Sequence, residues 1–197
     1  MDGLKARLAS RNANKARELG HSLPDWRIEP LDADDYPPED GTTYYENARG
    51  KALFGRTRAQ PEEWVLGEDS GIEVAALGGG PGVESARSGG DDPVGWLLDR
   101  LDGVEDRNAR YVSELVIVSP AGDELRSMGM LEGRIATEPR GTEGFGFDPV
   151  FVPDGEERTV AELGDGWKAH NSHRACAARA LREAVDRSGL APRRAPL

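Results

Sequence analysis

The sequence predicts an α/β domain on a mixed sheet, and two patterns indicate this class. Strand-like and helix-like stretches are intermixed along the chain. One long stretch, residues 110–136, has the pattern of two antiparallel strands that turn at Pro120, Ala121 and Gly122. With 197 residues, 37% of them hydrophobic, the chain is large enough to bury a core as a single domain.

Local signals predict the elements of the N-terminal half. Residues 4–10, LKARLAS, alternate between apolar and basic and predict a first strand. Asn12 is the expected N-cap of a helix that stops at Pro24, and WRIEPL predicts a second short strand. The acidic segment 32–41 reads as a surface loop. A second helix is expected from a capping box, Thr43 to Glu46, to about residue 59.

The middle of the chain reads as strands followed by a helix. Strands are expected at residues 64–67 and 72–77, with residues 68–71 between them. A helix near residues 93–102 is then expected before the long hairpin.

The C-terminal part begins with a glycine-rich loop, GTEGFGFDP, that leads into the apolar run PVFV. The last helix is expected to begin near Asn171 and to end near residue 188. We therefore predict one domain, residues 1–188, followed by a frayed tail, residues 189–197.

Composition narrows the class of protein. The net charge of −11 argues against a chain that coats nucleic acid or anionic membrane. No apolar run approaches the ~20 residues of a membrane span, and the N-terminus is too polar for a secretory signal. The single cysteine, Cys176, excludes a disulfide framework and a cysteine-based zinc site. We expect a cytoplasmic protein with no nucleic-acid or membrane partner.

Residues 10–15, SRNANK, lie between the first predicted strand and helix. Backbone N–H groups and the positive end of a helix dipole favour an anion there, and Lys15 adds a full charge. The same pattern is also typical of an ordinary capped helix with an exposed lysine. Only four of the 25 basic residues are lysines, so selective use of lysine at an anion site is one interpretation.

Acidic residues supply a second group of candidates. Glu46 and Lys51 lie on the second predicted helix, where Glu46 also suits its capping box. Adjacent Glu68 and Asp69 repel each other. They are hard oxygen ligands of the kind that hold Mg²⁺ with substrate phosphate, or else they form a solvated turn. We expect a divalent cation, with phosphate on its far side, to offset their repulsion.

The segment KAHNSHR, residues 168–174, closes on the start of the last predicted helix. His173 and Arg174 fall in its first turn, where the dipole disfavours positive charge. A nearby anion or electron-rich acceptor would remove that cost, and an exposed turn would make it small. The histidines have no zinc pattern, and the chain contains neither a Walker-type phosphate loop nor a complete dinucleotide fingerprint.

Together these clusters resemble one family, the Ham1-type inosine triphosphate pyrophosphatases. The resemblance spans about residues 8–182 and rests on six motifs in the family's order: SRNANK, ENARGKA, EDSGIEV, GGGPGVESAR, GTEGFGFDPVF and KAHNSHR. It implies hydrolysis of non-canonical purine nucleoside triphosphates (ITP, dITP and XTP) to the monophosphate and pyrophosphate, cleansing the nucleotide pool. It also implies Mg²⁺ as cofactor, a homodimer, and an elongated sheet with two lobes around a substrate cleft.

The resemblance assigns roles to individual residues. Asp69 would be the proton acceptor and would hold Mg²⁺ together with Glu46. Lys168, His173 and Arg174 would read the edge of the base. Ser70 would contact the substrate. The remaining contacts would come from two groups: Ser10, Arg11, Asn12, Ala13, Asn14, Lys15 and Lys51 on the triphosphate, and Phe145, Gly146, Phe147 and Asp148 around the nucleoside.

Two other functions stay open from the sequence. One is a pyrophosphatase for modified pyrimidine nucleotides, which would use the same phosphate chemistry. The other is a nucleotide-binding regulatory protein without turnover. The Glu46 and Asp69 pair argues against the second, because binding alone does not require a positioned base.

Overall fold

The structure, a computed structural model, describes residues 4–190. Within that range six strands form one sheet in the order β2-β1-β3-β4-β5-β6. The strands are β1 Lys5–Leu8, β2 Arg27–Pro30, β3 Trp64–Val74, β4 Asn108–Val118, β5 Glu124–Ile135 and β6 Phe151–Pro153. The helices of this range are α1 Ala13–Ser22, α2 Tyr44–Arg56, α3 Pro93–Arg100, α4 Val160–Asn171 and α5 His173–Ser188, with short 3-10 turns at Ala75–Leu77 and Gly82–Glu84.

The sheet is mixed, as predicted. Strand β1 runs parallel to β2, with Lys5 opposite Arg27, and parallel to β3, with Ala6 opposite Trp64. Strand β6 pairs with β5 in the antiparallel sense, with Phe151 opposite Ile135. The α/β fold class is therefore confirmed. No helix among residues 4–190 has the length and apolar character needed to cross a membrane.

The described chain divides into two compact units. The first unit comprises residues 4–69, 113–129 and 174–190, and the second comprises residues 70–112 and 130–173. The division falls within strands β3, β4 and β5, so each of these strands contributes residues to both units.

The core of the first unit joins strands to helices α1 and α5. Leu8 and Leu66 from β1 and β3 pack in one buried cluster with Leu19 of α1, Ile117 of β4 and Leu181 of α5. All five side chains are withdrawn from water, and burying each leucine or isoleucine contributes about 1.5–3 kcal/mol before the entropy cost of ordering it. This packing fixes the start of α1 against the sheet.

The core of the second unit is more aromatic. Tyr111 of β4 and Phe151 of β6 pack with ring centroids 4.4 Å apart, in a cluster that also contains Ile72, Leu97 and Ile135. The cluster extends to Phe147, near the C-terminal end of the glycine-rich loop, and to Val160, at the start of α4. That loop is therefore anchored in the core near its C-terminal end.

The predicted helix starts agree with the structure because they depend on local hydrogen bonds. The Asn12 side chain accepts from the Asn14 N–H at 2.9 Å and caps α1. Thr43 and Glu46 form both halves of the capping box of α2. The predicted hairpin also forms, and Ser119 N–H donates to Asp123 O at 2.8 Å across its turn.

Two predictions of local structure were wrong. The expected interruption between strands at residues 64–67 and 72–77 does not occur, because β3 runs without a break from Trp64 to Val74. Helix α4 was missed, although Thr159 and Glu162 form a capping box at its start. Helix α5 begins at His173, close to the predicted start, and ends at Ser188. The predicted domain limit stays a prediction, and residues 191–197 of the tail lie outside the described residues.

Candidate active site

The predicted site residues collect in two clusters, one in each unit. The charged cluster of the first unit contains Lys15, Lys51, Glu68, Asp69 and Arg174. The aromatic cluster of the second unit contains Tyr111, Phe145, Asp148, Lys168 and His173.

A close approach of α2 to β3 builds the charged cluster. A side chain at Gly67 would place its Cβ 2.0 Å from the Ala48 carbonyl oxygen and 2.7 Å from the Ala52 nitrogen, so glycine is required for this packing. Lys51 lies about one turn after Ala48 on α2, and its side chain extends to Glu68 and Asp69 of β3. Its Nζ donates to Asp69 Oδ1 at 2.8 Å and to the Glu68 carbonyl at 3.1 Å.

Asp69 is held by a second residue of α2 as well. Asn47 Nδ2 donates to Asp69 Oδ2 at 3.1 Å, so both carboxylate oxygens have a donor. Burial raises the pKa of Asp69, and Lys51 works against that rise. Burial also works to lower the pKa of Lys51, but Asp69 and Glu39 outweigh it and raise that pKa. Asp69 is thus a buried, oriented carboxylate with a basicity above that of an ordinary aspartate.

Glu68 and Asp69 sit side by side because their side chains leave a continuous strand on opposite faces. Glu68 Oε2 lies 2.7 Å from Lys15 Nζ, and Oε1 accepts from Arg174 Nε at 2.9 Å and from Ser113 Oγ at 3.1 Å. Burial works to raise the pKa of Glu68, but Lys15 and Arg174 hold it well below its usual range. Side-chain cations therefore already offset the repulsion for which we expected a divalent cation.

Arg174 lies inside this network. Its Nη1 donates to Glu18 Oε2 at 2.7 Å, and its side chain is buried beside Glu68. These two carboxylates raise the pKa of Arg174 although burial works to lower it. The positive charge that we expected to be costly in the first turn of α5 is thus offset by Glu68 and Glu18. The predicted contact of Arg174 with the base stays a prediction.

A third carboxylate at this site was missed. Glu39, in the loop before α2, brings its Oε1 to 3.0 Å from Lys51 Nζ, the ammonium that Asp69 also binds. The available signal was topological: this loop follows β2, which runs parallel to β1, and loops at the carboxyl ends of parallel strands commonly line binding sites. Acidic composition alone did not separate Glu39 from its neighbours.

Glu46 makes the contacts of its capping box. Its Oε2 accepts from the Thr42 N–H at 2.7 Å, the Thr42 hydroxyl at 2.9 Å and the Thr43 N–H at 3.1 Å. These hydrogen bonds lower the pKa of Glu46. The structure therefore places Glu39 beside Lys51 and gives Glu46 a role in helix capping. The metal-ligand role of Glu46 stays a prediction.

Residues 10–15 form the connection from β1 to α1. The Ser10 hydroxyl accepts from the Asn12 N–H at 3.2 Å, and Ala13 begins the helix. The Asn14 side chain accepts from Arg17 at 3.2 Å. Arg11 donates to the Asp34 carbonyl and lies over the Tyr36 ring, 5.3 Å from its centroid. The segment therefore presents a helix N-terminus with Lys15 beside it, the arrangement that favours an anion.

The aromatic cluster of the second unit is organised by Asp148. Its Oδ2 accepts from the Phe145 N–H at 2.9 Å and from Lys168 Nζ at 2.7 Å, and its Oδ1 accepts from the Tyr111 hydroxyl at 3.2 Å. Gly144 has φ +80°, and a Cβ there would lie 2.2 Å from Asp148 Oδ2. The glycine thus permits the loop to close on the carboxylate.

Ring contacts complete this cluster. Lys168 Nζ lies 4.5 Å from the centroid of the partly exposed Phe145 ring. The His173 imidazole stacks on the Tyr111 ring at 4.6 Å with 15° between the planes. Phe147 is buried in the hydrophobic core, and Gly146 is exposed with φ +62°. Phe145 is consequently the partly exposed aromatic residue of the predicted pair, and Phe147 is the buried one.

Sequence reasoning missed four further residues: Asn47, Tyr111, Ser113 and Glu18. Asn47 follows Glu46 in the motif ENARGKA, so its position in the motif was a signal. The other three are contributed by β4 and α1, and their contacts join residues distant in the sequence. Ser70, a predicted substrate contact, follows Asp69 in β3 and is partly exposed.

Comparisons with known proteins agree over nearly the whole chain. Residues 6–184 match the model of the Ham1 family. The chain is 41% identical to the dITP/XTP pyrophosphatase of Deinococcus deserti, over 97% of this chain and 95% of that protein. It is also 41% identical to the dITP/XTP pyrophosphatase of Thermus thermophilus, over 97% of this chain and 96% of that protein.

Solved structures show the same fold. The structure of a HAM1 protein from Coxiella burnetii superposes with a TM-score of 0.80 at 32% identity, covering 93% of this chain and 99% of that one. The nucleoside-triphosphatase, or dITP/XTP pyrophosphatase, of Mycobacterium abscessus has a TM-score of 0.68 at 39% identity, covering 92% of this chain and 97% of that one.

Proposed function

The chain belongs to the Ham1 family, and from that premise we propose that it hydrolyses non-canonical purine nucleoside triphosphates, dITP and XTP among them, to the nucleoside monophosphate and pyrophosphate. The match to dITP/XTP pyrophosphatases over 97% of the chain is the observation that carries this proposal. The charged cluster supports the chemistry, and the aromatic cluster supports recognition of a base.

Asp69 acts as the general base. Its two oxygens are oriented by Lys51 and Asn47, and burial gives it a raised pKa. A carboxylate with that basicity accepts a proton from the attacking water more readily than an exposed aspartate does. The water oxygen forms the new bond to phosphorus, the bond between the α- and β-phosphates breaks, and pyrophosphate leaves.

The triphosphate binds at the N-terminus of α1. The backbone N–H groups of residues 10–15 and the ammonium groups of Lys15 and Lys51 offset its negative charge. A phosphate next to Lys51 would take over the charge balance that Glu39 and Asp69 now supply at 3.0 Å and 2.8 Å. Positive charge on these lysines also stabilises the leaving pyrophosphate.

The family implies Mg²⁺, and the donor set fits this ion. Asp69 and Glu39 place two carboxylate oxygens around one cationic group, Lys51 Nζ, and Mg²⁺ is usually held by one or two carboxylates plus phosphate and water. Among residues 4–190 no group of three or more acidic, histidine or cysteine side chains is arranged to hold a metal ion. When bound, Mg²⁺ would neutralise phosphate charge and polarise a phosphoryl oxygen. Glu46 is the alternative second ligand.

The base binds in the aromatic cluster. Phe145 offers a ring face for stacking, which adds affinity without separating one purine from another. Lys168 and His173 of this cluster supply hydrogen-bond donors, and the purines to be removed carry an acceptor oxygen at position 6, where adenine carries a donor. Unpaired buried donors opposite adenine cost about 1–3 kcal/mol each, which disfavours ATP.

Homodimer formation, which rests on the family resemblance, and a cytoplasmic location, which rests on the composition, belong to the same proposal. Light scattering on the purified chain tests the oligomeric state. A mass equal to one chain would contradict the homodimer.

One assay tests the activity. Purified protein with Mg²⁺ is given ITP, XTP, dITP, ATP, GTP, CTP and UTP in parallel, and pyrophosphate release is measured. We expect rapid release from ITP, XTP and dITP and slow release from the other four. Equal turnover of ATP would contradict base selection, preference for CTP or UTP would favour a pyrimidine substrate, and binding without any release would favour a regulatory protein.

A further inference from the structure

Glu68 is a buried carboxylate to which the proposed mechanism gives no task. Its side chain is 0% exposed, and it leaves β3 on the face opposite Asp69. We propose that Glu68 is a positioning residue that holds the Lys15 ammonium in one place for the triphosphate. This inference rests on the proposed triphosphate substrate. It adds Glu68 as a residue that acts on the substrate through Lys15.

The contact between Glu68 and Lys15 is demanding for both partners. Glu68 Oε2 lies 2.7 Å from Lys15 Nζ and has no other hydrogen-bond donor among residues 4–190. The ammonium is therefore its principal compensation for the loss of water, and a buried charge left without compensation is costly. If Lys15 moved away, the buried Glu68 carboxylate would lose this compensation, so the contact restricts the lysine side chain.

Glu68 is itself held from its other side. Its Oε1 accepts from Arg174 Nε at 2.9 Å and from Ser113 Oγ at 3.1 Å, so α5 and β4 fix the carboxylate. Arg174 also donates to Glu18 Oε2 at 2.7 Å, and Glu18 lies one turn after Lys15 on α1. The contacts form a chain of alternating cations and carboxylates, from Lys15 through Glu68 and Arg174 to Glu18, that links α1, β3 and α5.

Lys15 remains able to bind a ligand while it contacts Glu68. An ammonium has three donor hydrogens, and the contact with Glu68 engages one of them. The Lys15 side chain is 14% exposed, so part of it is accessible from solvent. A lysine normally has large side-chain freedom, and fixing it before binding removes that entropy cost from the binding step.

Two effects of the Glu68 charge oppose each other. As an anion near the N-terminus of α1, Glu68 repels a triphosphate, so its removal would tighten binding. As the residue that fixes Lys15, it favours binding, so its removal would weaken it. A Glu68→Gln substitution keeps the size and one acceptor, and the sign of its effect separates the two roles.

The first measurement gives two dissociation constants, determined by calorimetry with Mg²⁺. One is for the α,β-methylene analogue of ITP, and the other is for IMP. We expect Glu68→Gln to weaken the triphosphate analogue at least about tenfold and IMP less than about twofold, since one charge-assisted contact is lost from the phosphate tail. Unchanged or tighter binding of the analogue would overturn the proposal. Equal weakening of both ligands would also overturn it, as a general structural effect.

Glu63→Gln is the matched control. Glu63 is also a buried glutamate of the first unit, and it lies beside two cations, Arg7 Nε at 2.9 Å and Lys5 Nζ at 3.0 Å. It has no contact with residues 10–15 in its hydrogen bonds and ion pairs within residues 4–190. We expect its substitution to lower thermal stability while the ratio of the two dissociation constants stays at the wild-type value.

The second measurement asks whether Glu68 acts through Lys15. In a Lys15→Met background, Glu68→Gln is expected to change the affinity for the analogue by less than about twofold, because the residue it positions is gone. A further tenfold loss in that background would show an independent role for Glu68 and overturn the proposal.

Ser113→Ala covers the case in which Glu68→Gln does not fold. It removes one hydrogen bond from Glu68 Oε1 and leaves every charge in place. We expect a weakening of the analogue of about two- to fivefold with IMP unchanged, and no change would overturn the proposal. Failure of the proposed function is a separate result, since the wild-type chain would then release no pyrophosphate from ITP, dITP or XTP.

Discussion

The two clusters solve the problem of buried charge in different ways. In the charged cluster, Lys15, Lys51 and Arg174 each lie against a carboxylate, and the partners come from α1, α2, β3 and α5. In the aromatic cluster one buried ion pair, Lys168 and Asp148 at 2.7 Å, is surrounded by the rings of Phe145 and Tyr111. The first arrangement suits a highly charged ligand, and the second suits a flat ligand with a few polar atoms.

The difference predicts a division of labour. Changes in the charged cluster should lower binding or turnover for every nucleoside triphosphate alike, because the phosphates are common to all of them. Changes in the aromatic cluster should alter the preference among bases and leave phosphate binding in place. The following experiments test that division, from the largest expected effect to the smallest.

Asp69→Asn should lower kcat at least about 100-fold for ITP, XTP and dITP alike, because general base catalysis typically contributes 10²–10⁴-fold. The amide keeps the size of the side chain and one acceptor for Lys51 or Asn47. Steady-state kinetics gives kcat, and the unfolding midpoint checks the fold. A variant that kept more than about a tenth of the wild-type kcat would exclude Asp69 as the base.

Lys168→Ala should lower kcat/KM for ITP about tenfold or more and kcat/KM for ATP less than about threefold, because the lost donor faces the base. Arg174→Ala, measured alongside, shows whether the arginine contacts the base or acts through its ion pairs with Glu18 and Glu68. An equal loss for ITP and ATP would place either residue with the charged cluster. Near-equal use of ATP and ITP by the wild-type chain would remove the base-reading role altogether.

Lys51→Ala should weaken binding of the triphosphate about tenfold and binding of the monophosphate much less, because the lost ammonium faces the phosphate tail. Dissociation constants for the α,β-methylene analogue of ITP and for IMP provide the comparison. If the affinities for both ligands fell by the same factor, Lys51 would stabilise the buried pair with Asp69 and would not contact the phosphate tail.

Glu39→Ala and Glu46→Ala separate the two candidate metal ligands. Glu39→Ala should raise the Mg²⁺ concentration for half-maximal activity several-fold, since Glu39 lies with Asp69 around Lys51. Glu46→Ala should lower the free energy of unfolding by about 1 kcal/mol, the usual cost of losing a helix cap, with the Mg²⁺ requirement unchanged. The reverse pattern would restore Glu46 as the metal ligand.

Tyr111→Phe should give the smallest change. The ring still stacks on His173, but the hydrogen bond to Asp148 Oδ1 is lost, at a cost of about 1 kcal/mol in stability. We expect kcat/KM for ITP to fall about two- to fivefold and the dissociation constant of inorganic pyrophosphate to stay unchanged. Weaker pyrophosphate binding would contradict the separation of the two clusters.

Local physics made part of this fold readable from the sequence. The caps of α1 and α2 involve residues within four positions of one another, so Asn12 and the Thr43–Glu46 box carried enough information by themselves. The hairpin turn at residues 119–123 is local in the same way. Helix α4 carried an equally local signal, the Thr159 and Glu162 capping box, which was overlooked. The resemblance to a family indicated Lys15, Lys51, Asp69 and Lys168, and the structure places each of them in one of the two clusters.

Only the tertiary structure decided what lies beside each of those residues. The sequence indicated a divalent cation, or else a solvated turn, at Glu68 and Asp69, because two adjacent carboxylates are costly without compensation. The chain compensates them with Lys15 and Arg174 on one face of β3 and with Lys51 on the other, up to 106 residues away. Glu39 reached Lys51, and Tyr111 reached Asp148, by the same kind of distant contact. Periodicity and capping report interactions within a few residues, whereas the energy of a buried charge depends on partners that folding alone brings within 3 Å.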